Sequence, residues 1–363
     1  MELTDYSEDE QIKSRRGYIL KDLAKSFIQC LGELGPISAG KLMHFTADMV
    51  TSGGLPLWEK LCWDYAYDHV GVASPRIFHF LFKKFKELNE LSSKMPIEDF
   101  CRKKENQEQM IEIVIILQEC PKKAKCKIPS IPQETHENEA WLRSVLRTTD
   151  KLVVRKVYQR NVDLEQMLHA GNEMVYAIQE GAPERALFWI KWVLEEDAIM
   201  KKKYGTGLTT IERGPAQLKP QQQTSVGYYI IAILAEVYKE FAEKGMVRMH
   251  EEFQALLDIY RSLQTQRKKL DIIALMVQIL TDVPKWKIPA APSLVLDQTK
   301  LQRAVSQSEA FFKEVLLLPL PKKLLPATVT GLKQKKIKDL SQQAKLEKKL
   351  AMIDEMTMNY YKM

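Results

Sequence analysis

The chain has 363 residues, a net charge of +7, a hydrophobic fraction of 45% and a charged fraction of 28%. That length suits two ordinary cores, and the composition is that of a globular chain rather than a disordered or collagen-like one. No apolar run approaches the ~18 residues of a membrane-spanning helix. The five widely spaced cysteines, Cys30, Cys62, Cys101, Cys120 and Cys126, read as free thiols of a reducing compartment, not as a disulfide framework. The opening MELTDYSEDE is neither a signal peptide nor an Arg-rich transit peptide, so an intracellular protein, cytoplasmic or nuclear, is expected.

In chain order, helical periodicity dominates and period-two alternation is almost absent. A first helix is expected over about Arg16–Leu34, ending at Gly35-Pro36. The next carries Leu42, Phe45, Ala47, Met49 and Val50 and stops at Ser52-Gly53-Gly54, where Gly53 or Gly54 would supply a left-handed cap. Pro56 and Pro75 open two more helices. A further helix over about Asn106–Gln118 is closed by Pro121. The polar, proline-containing stretch after Pro129 reads as a linker. Helices return at Glu139, at Pro183–Met200, at Tyr228–Ala242, at Met249–Leu263 and at Lys268–Thr281. Tyr204–Gly227, rich in Gly, Pro, Gln and Thr, is long for a structureless loop, a class that is usually functional or disordered. The C-terminal part reads as a helix near Thr299–Leu318, a proline-broken connector and a lysine-rich helix from about Lys333.

The middle of the chain is written twice. Ile111–Pro132 (IEIVIILQECPKKAKCKIPSIP) and Ile272–Pro292 (IIALMVQILTDVPKWKIPAAP) share an apolar run, a proline, lysines and Lys-Ile-Pro. Their beginnings correspond at Gly35-Pro36 and Ala182-Pro183. Internal duplication means supersecondary units that bury their faces against neighbours. The expected organisation is an N-terminal repeat over 1–132, a linker at 133–138, a second repeat over 139–296 with a long loop at 204–227, and C-terminal helices with a basic arm over 297–363.

Charge is uneven. Between Lys333 and Lys349, seven lysines face only Asp339 and Glu347, so most of the basicity is assigned to the tail and the rest of the chain reads as nearly balanced. The residues singled out for nucleic acid or an acidic partner are Lys333, Lys335, Lys336, Lys338, Lys345, Lys348 and Lys349, together with Lys122, Lys123 and Lys125 after the first repeat. Lys285 and Lys287 stand at the matching place in the second. Lysines near a helix C-terminus also complement the macrodipole, which is the plainer explanation for the inner clusters.

Other constellations resolve toward structure. Gly35–Lys41 spells G-x-x-x-x-G-K, but Leu42 stands where a phosphate-binding loop needs a hydroxyl and Pro36 removes a donor. His44 with Asp48, and Asp64 with Asp68 and His69, lack a third ligand of diagnostic spacing. Cys120, Cys126 and His136 do not fit a zinc pattern. Glu195, Glu196 and Asp197 point in different directions on a helix. Phe188, Trp189 and Trp192 could form a base-stacking platform, yet aromatics on an apolar helical face are normally core. No catalytic grouping, metal or cofactor is expected.

The run SAGKLMHFTADMVTSGGLPLWEKLCWDYAYDHVGVASPRIF, Ser38 to Phe80, resembles the helical collar that follows the ATPase module in clamp-loader-related AAA+ proteins of the Werner-interacting-protein type. Ala39, Gly53, Gly54, Pro56, Leu57 and Asp68–Pro75 carry the likeness. The second copy lacks the Gly-Gly break and the Val-Gly-Val-Ala-Ser-Pro ending. The chain also resembles uncharacterised helical proteins of large nucleocytoplasmic DNA viruses. Periodicity, the duplication and these resemblances together lead to the expectation of an all-α protein of two tandem collar-like repeats plus a basic helical arm. The lack of a Walker pair or sensor arginine means that no ATPase activity is carried over. The protein would act as a scaffold in DNA replication or processing, binding protein partners or itself, and DNA or RNA through the lysines. The alternative is a minor structural or assembly component of a virion.

Overall fold

The computed structural model describes residues 12–325 except 138, 149, 247–249, 263–265, 283–293, 296 and 322. Among these the protein is all-α: the β pairing consists of one isolated bridge between Lys13 and Ile19. The first helices are α1 (Leu20–Gly32), α2 (Pro36–Met49), α3 (Leu55–Tyr65), α4 (Arg76–Ser92), α5 (Ile97–Arg102) and α6 (Lys104–Glu119). Then come α7 (Glu134–Glu137), α8 (Glu139–Val145), α9 (Leu152–Arg155), α10 (Glu165–Gln179) and α11 (Pro183–Tyr204). They are followed by α12 (Pro220–Gln223), α13 (Val226–Glu243), α14 (His250–Ser262), α15 (Gln266–Thr281), α16 (Gln298–Ser306) and α17 (Ser308–Leu316).

These helices form two compact units. The first comprises residues 1–70, 80–122 and 293–363; the second comprises 71–79 and 123–292. The first unit is therefore discontinuous, taking its N-terminal helices and α16 and α17 from opposite ends of the chain.

In the first unit α2 and α6 pack against each other and are covered by α1, α16 and α17. Both are buried on nearly every side, α2 from Ser38 to Met49 with Lys41 partly open and α6 from Met110 to Gln118 with Glu112 partly open. Such helices bury side chains on every face, polar ones included, rather than along one apolar stripe. Pro36 sits in the first turn of α2, where its missing N–H costs nothing. The chain leaves α2 through a wide π-helical turn, Val50–Gly54, in which Gly53 has φ 85°. That is the left-handed glycine expected there. Gly54 is held by space: a Cβ would stand 2.8 Å from the Met49 carbonyl oxygen. Against this turn Arg15, with a side chain only 1% exposed, donates from Nε to the Thr51 carbonyl at 2.9 Å and from Nη1 to the Leu318 carbonyl at 2.9 Å. Its Nη2 reaches Glu98 at 2.7 Å. Ser52 accepts the Arg15 backbone N–H on its hydroxyl at 2.9 Å and the Leu325 N–H on its carbonyl at 3.1 Å. Residues near both ends of the described chain are thus fastened to one residue.

In the second unit α10 and α11 form an antiparallel hairpin that packs on α13 and α15, with α14 on α15. Pro183 opens α11 and Gly205, φ 78°, closes it. The stretch expected as a linker carries α7, in which Thr135 is buried and His136 stacks on Trp192 at 5.6 Å with the rings 7° apart.

Residues 204–227 also differ from the open loop their composition suggests. Tyr204 ends α11, α12 lies at 220–223, and the remainder is clamped by a buried ion pair. Arg213 meets Asp163 side by side, Nη2 to Oδ2 at 2.5 Å and Nη1 to Oδ1 at 3.0 Å, with Asp163 fully buried. Thr209 Oγ1 and the Gln159 N–H also donate to Asp163. Leu208 donates its N–H to Asp197 and accepts that of Leu164. A polar, glycine-containing segment is ordered here because side-chain acceptors replace the backbone ladder it lacks.

Candidate functional site

Of the lysines singled out, Lys333, Lys335, Lys336, Lys338, Lys345, Lys348 and Lys349 lie outside the described residues, as do Lys285 and Lys287. Lys122, in the first unit, donates from Nζ to the Gln118 carbonyl at 2.5 Å. It satisfies an orphan carbonyl at the end of α6, as a cation near a helix C-terminus does. In the second unit Lys123 pairs with Asp282 at 3.2 Å and Lys125 with Asp271 at 3.6 Å. Exposed pairs of this kind are worth at most about 1 kcal/mol, but they neutralise the charge that would draw a phosphate.

The other constellations are structural. Gly35–Lys41 is the start of α2, not a phosphate loop. His44 is buried and its Nε2 faces the Tyr18 hydroxyl at 3.5 Å. Asp48, on the next turn of α2, is fully buried and accepts the Arg16 N–H at 3.2 Å. Burial drives His44 down to about 3, with the Arg16 charge adding to it. Burial lifts Asp48 to about 6 despite hydrogen bonds from Ser14 and the Arg16 backbone and the charges of Arg16 and Arg15. Asp64 pairs with Lys60 at 2.8 Å and His69 lies tilted on the Tyr65 ring at 4.7 Å. Among the described residues no three His, Cys, Asp or Glu side chains converge on a metal-sized site.

All five cysteines are free, and burial pushes the Cys101 and Cys120 thiols up to about 12, the reverse of an activated nucleophile. Trp189 and Trp192 are core, 4% and 2% exposed, packed with Trp141 and Phe188, so they offer no stacking platform. Glu195 and Glu196 both approach His136, at 3.5 and 2.7 Å, and hold α7 on α11. No described helix is long and apolar enough to cross a membrane.

The assignment of the basicity to the tail misses a second concentration. Residues 143–160 hold Arg143, Arg147, Lys151, Arg155, Lys156 and Arg160 against Asp150 alone. Arg143, Arg147, Arg155, Lys156 and Arg160 are exposed. A sliding window of local charge finds this run at once, whereas whole-chain subtraction hides it behind acidic residues elsewhere.

The backbone of the run is held by two buried residues of α10, Asn172 and Glu173, exposed 0% and 1%. Glu173 accepts the N–H groups of Arg147 and of Thr148, the latter at 2.8 Å, and Asn172 accepts that of Lys151 at 3.0 Å. Val154 packs over Gly171, where a Cβ would come within 3.0 Å of its Cγ1. Lys151 lies over the Tyr176 ring at 5.0 Å and donates to Gln179 at 2.7 Å. Arg155 pairs with Asp150 at 2.5 Å and Lys156 with Glu236 at 3.6 Å. Arg147 and Arg160 have no ion pair among the described residues. The chain matches no family model, no curated protein and no solved structure.

Proposed function

We propose that the protein is a non-catalytic helical scaffold that binds protein partners through its helix faces and a phosphodiester polyanion through its C-terminal lysines. The observation that carries this reading is the lysine excess of the tail sequence, set beside inner lysines that already have partners. Lys122, Lys123 and Lys125 are engaged by Gln118, Asp282 and Asp271, whereas Lys333–Lys349 holds seven lysines against two carboxylates of its own. Two tandem collar-like units belong to the proposal. In its support, α2 and α11 each open on a first-turn proline, and each packs on the helix that closes its copy, α6 or α15. The collar resemblance points to replication or processing proteins as the partners.

Deleting Gly331–Met363 should lower affinity for a fluorescein-labelled 30-nucleotide DNA and flatten its salt dependence by about 0.7–0.9 log units per log of salt for each phosphate contact removed, with the unfolding transition unmoved. Unchanged affinity after this truncation overturns the tail as the binding element. Affinity purification of the tagged full chain tests the partner class: a sliding clamp, clamp loader or polymerase supports it, and near-stoichiometric shell proteins replace it with an assembly role.

A further inference from the structure

We propose that residues 143–160 of the second unit form a separate, sequence-independent site for a nucleic-acid backbone, with Arg143, Arg147 and Arg160 as its phosphate-binding groups. The site deepens the polyanion-binding reading but stands on different residues and can survive the failure of the tail.

A run of charge is ordinarily a solvated face, and three observations separate this one from that case. First, its geometry is fixed at a cost. A carboxylate as buried as Glu173 is expensive to keep, and it serves two backbone N–H groups of the run, with Asn172 serving a third. Solvated charge needs no such scaffolding. Second, the cations are laid out as a track. The run passes antiparallel along α10, from Lys151 beside Asn172 through Val154 beside Gly171 to Asp163, which precedes the start of the helix. At the rise of an α-helix this spreads the backbone of the run over roughly 12 Å, a span that covers successive phosphates of one strand. Third, four of the six cations are arginines, whose planar fork suits phosphate oxygens better than an ammonium does.

The surroundings narrow the ligand. The one aromatic side chain of 143–160, Tyr158, is only partly exposed, so the run offers no row of rings for successive bases and the contact is to backbone phosphates, without sequence preference. An anionic membrane is the other polyanion such a surface meets. Interfacial binding needs an amphipathic helix with a wide apolar face, and here α9 has four residues and Leu152 is its one exposed apolar side chain.

The test uses the full chain with Arg143→Gln, Arg147→Gln and Arg160→Gln combined, a 30-base-pair duplex and a salt titration. Expected is a loss of affinity of ~10-fold or more near 0.1 M salt and a salt slope shallower by about 2.7, the value for three lost phosphate contacts. An Arg→Lys version of the triple variant should keep most of the slope, which a variant that merely disturbed the fold would not. If the Gln variant binds with unchanged affinity and slope while the Gly331–Met363 deletion weakens binding, this site is refuted and the tail reading stands. If the Gln variant loses affinity and the deletion does not, this site is supported and the tail reading fails. Absence of duplex binding by the unaltered chain refutes both, and capture by phosphatidylserine vesicles in place of the duplex refutes the nucleic-acid assignment.

Discussion

His44 and Asp48 reverse, inside the first unit, the charge states they hold in water. Near pH 5 a free imidazole is protonated and a free carboxyl ionised. In the fold His44 titrates at about 3 and Asp48 at about 6, so both are neutral. Stability follows the difference in bound protons between unfolded and folded states. His44, with its value lowered, contributes stability above the unfolded value that is lost as pH falls toward 3. Asp48, with its value raised, contributes stability below the unfolded value that is lost as pH rises through 6. Between about pH 4 and 6 the unfolded chain carries the proton on His44 and the folded chain carries it on Asp48, so the two slopes cancel. Removing either residue uncovers the other. Asp48→Asn should become more stable with rising pH across this window relative to the unaltered protein, and His44→Gln less stable, each by on the order of 2 kcal/mol over two pH units. Urea melts at pH 4, 5 and 6 measure this, and parallel profiles for all three proteins would show that the pair is not buried in these states.

Among the elements, the segment from Gly205 to Ser225 is centred on one buried ion pair. Arg213 reaches Asp163, Thr209 and the Val157 carbonyl and lies over the Tyr229 ring at 5.4 Å. Arg213→Ala strands a fully buried carboxylate, and breaking such a pair costs about 3–5 kcal/mol. The variant should unfold at correspondingly lower urea and be cut by trypsin within 201–219 under native conditions. Adding Asp163→Asn should restore part of the loss, because the stranded charge is then gone. If Arg213→Ala resists trypsin like the unaltered protein, the clamp is not what orders the segment. The helices themselves were legible in the sequence: Pro36 and Pro183 mark starts, Gly53 marks an end, and apolar periodicity fills the interiors. The clamp was not, because its partners stand 50 residues apart and no local pattern pairs an aspartate with a distant arginine. The candidate site divides in the same way. The basic run is a local property of the sequence, while its fixing by Asn172 and Glu173 appears only once α10 has been placed beside it.

For the molecule as a whole, the discontinuity of the first unit is the feature with most reach. Phe312 and Val315 of α17 are fully buried, and α16 and α17 cover α6 and α2. Burying one phenylalanine of this kind is worth about 3–5 kcal/mol by truncation, so a chain ended at Pro292 should lose the cooperative unfolding of the first unit. Hydrogen exchange should then show α2 and α6 unprotected with α10, α13 and α15 still protected, whereas the Gly331–Met363 deletion should leave all five protected. Repeat patterns and composition did not reveal this closure, since they describe neighbours along the chain and the contact joins its two ends. For a nascent chain the order of emergence follows. At bacterial-to-eukaryotic elongation rates, roughly 5–20 residues per second, the stretch between Lys122 and Leu316 takes about 10–40 s to make. For about that long after they leave the ribosome, α2 and α6 have their apolar surfaces uncovered. The second unit can complete its core first, and the half synthesised earliest is the half that finishes last, which makes it the natural client of a chaperone.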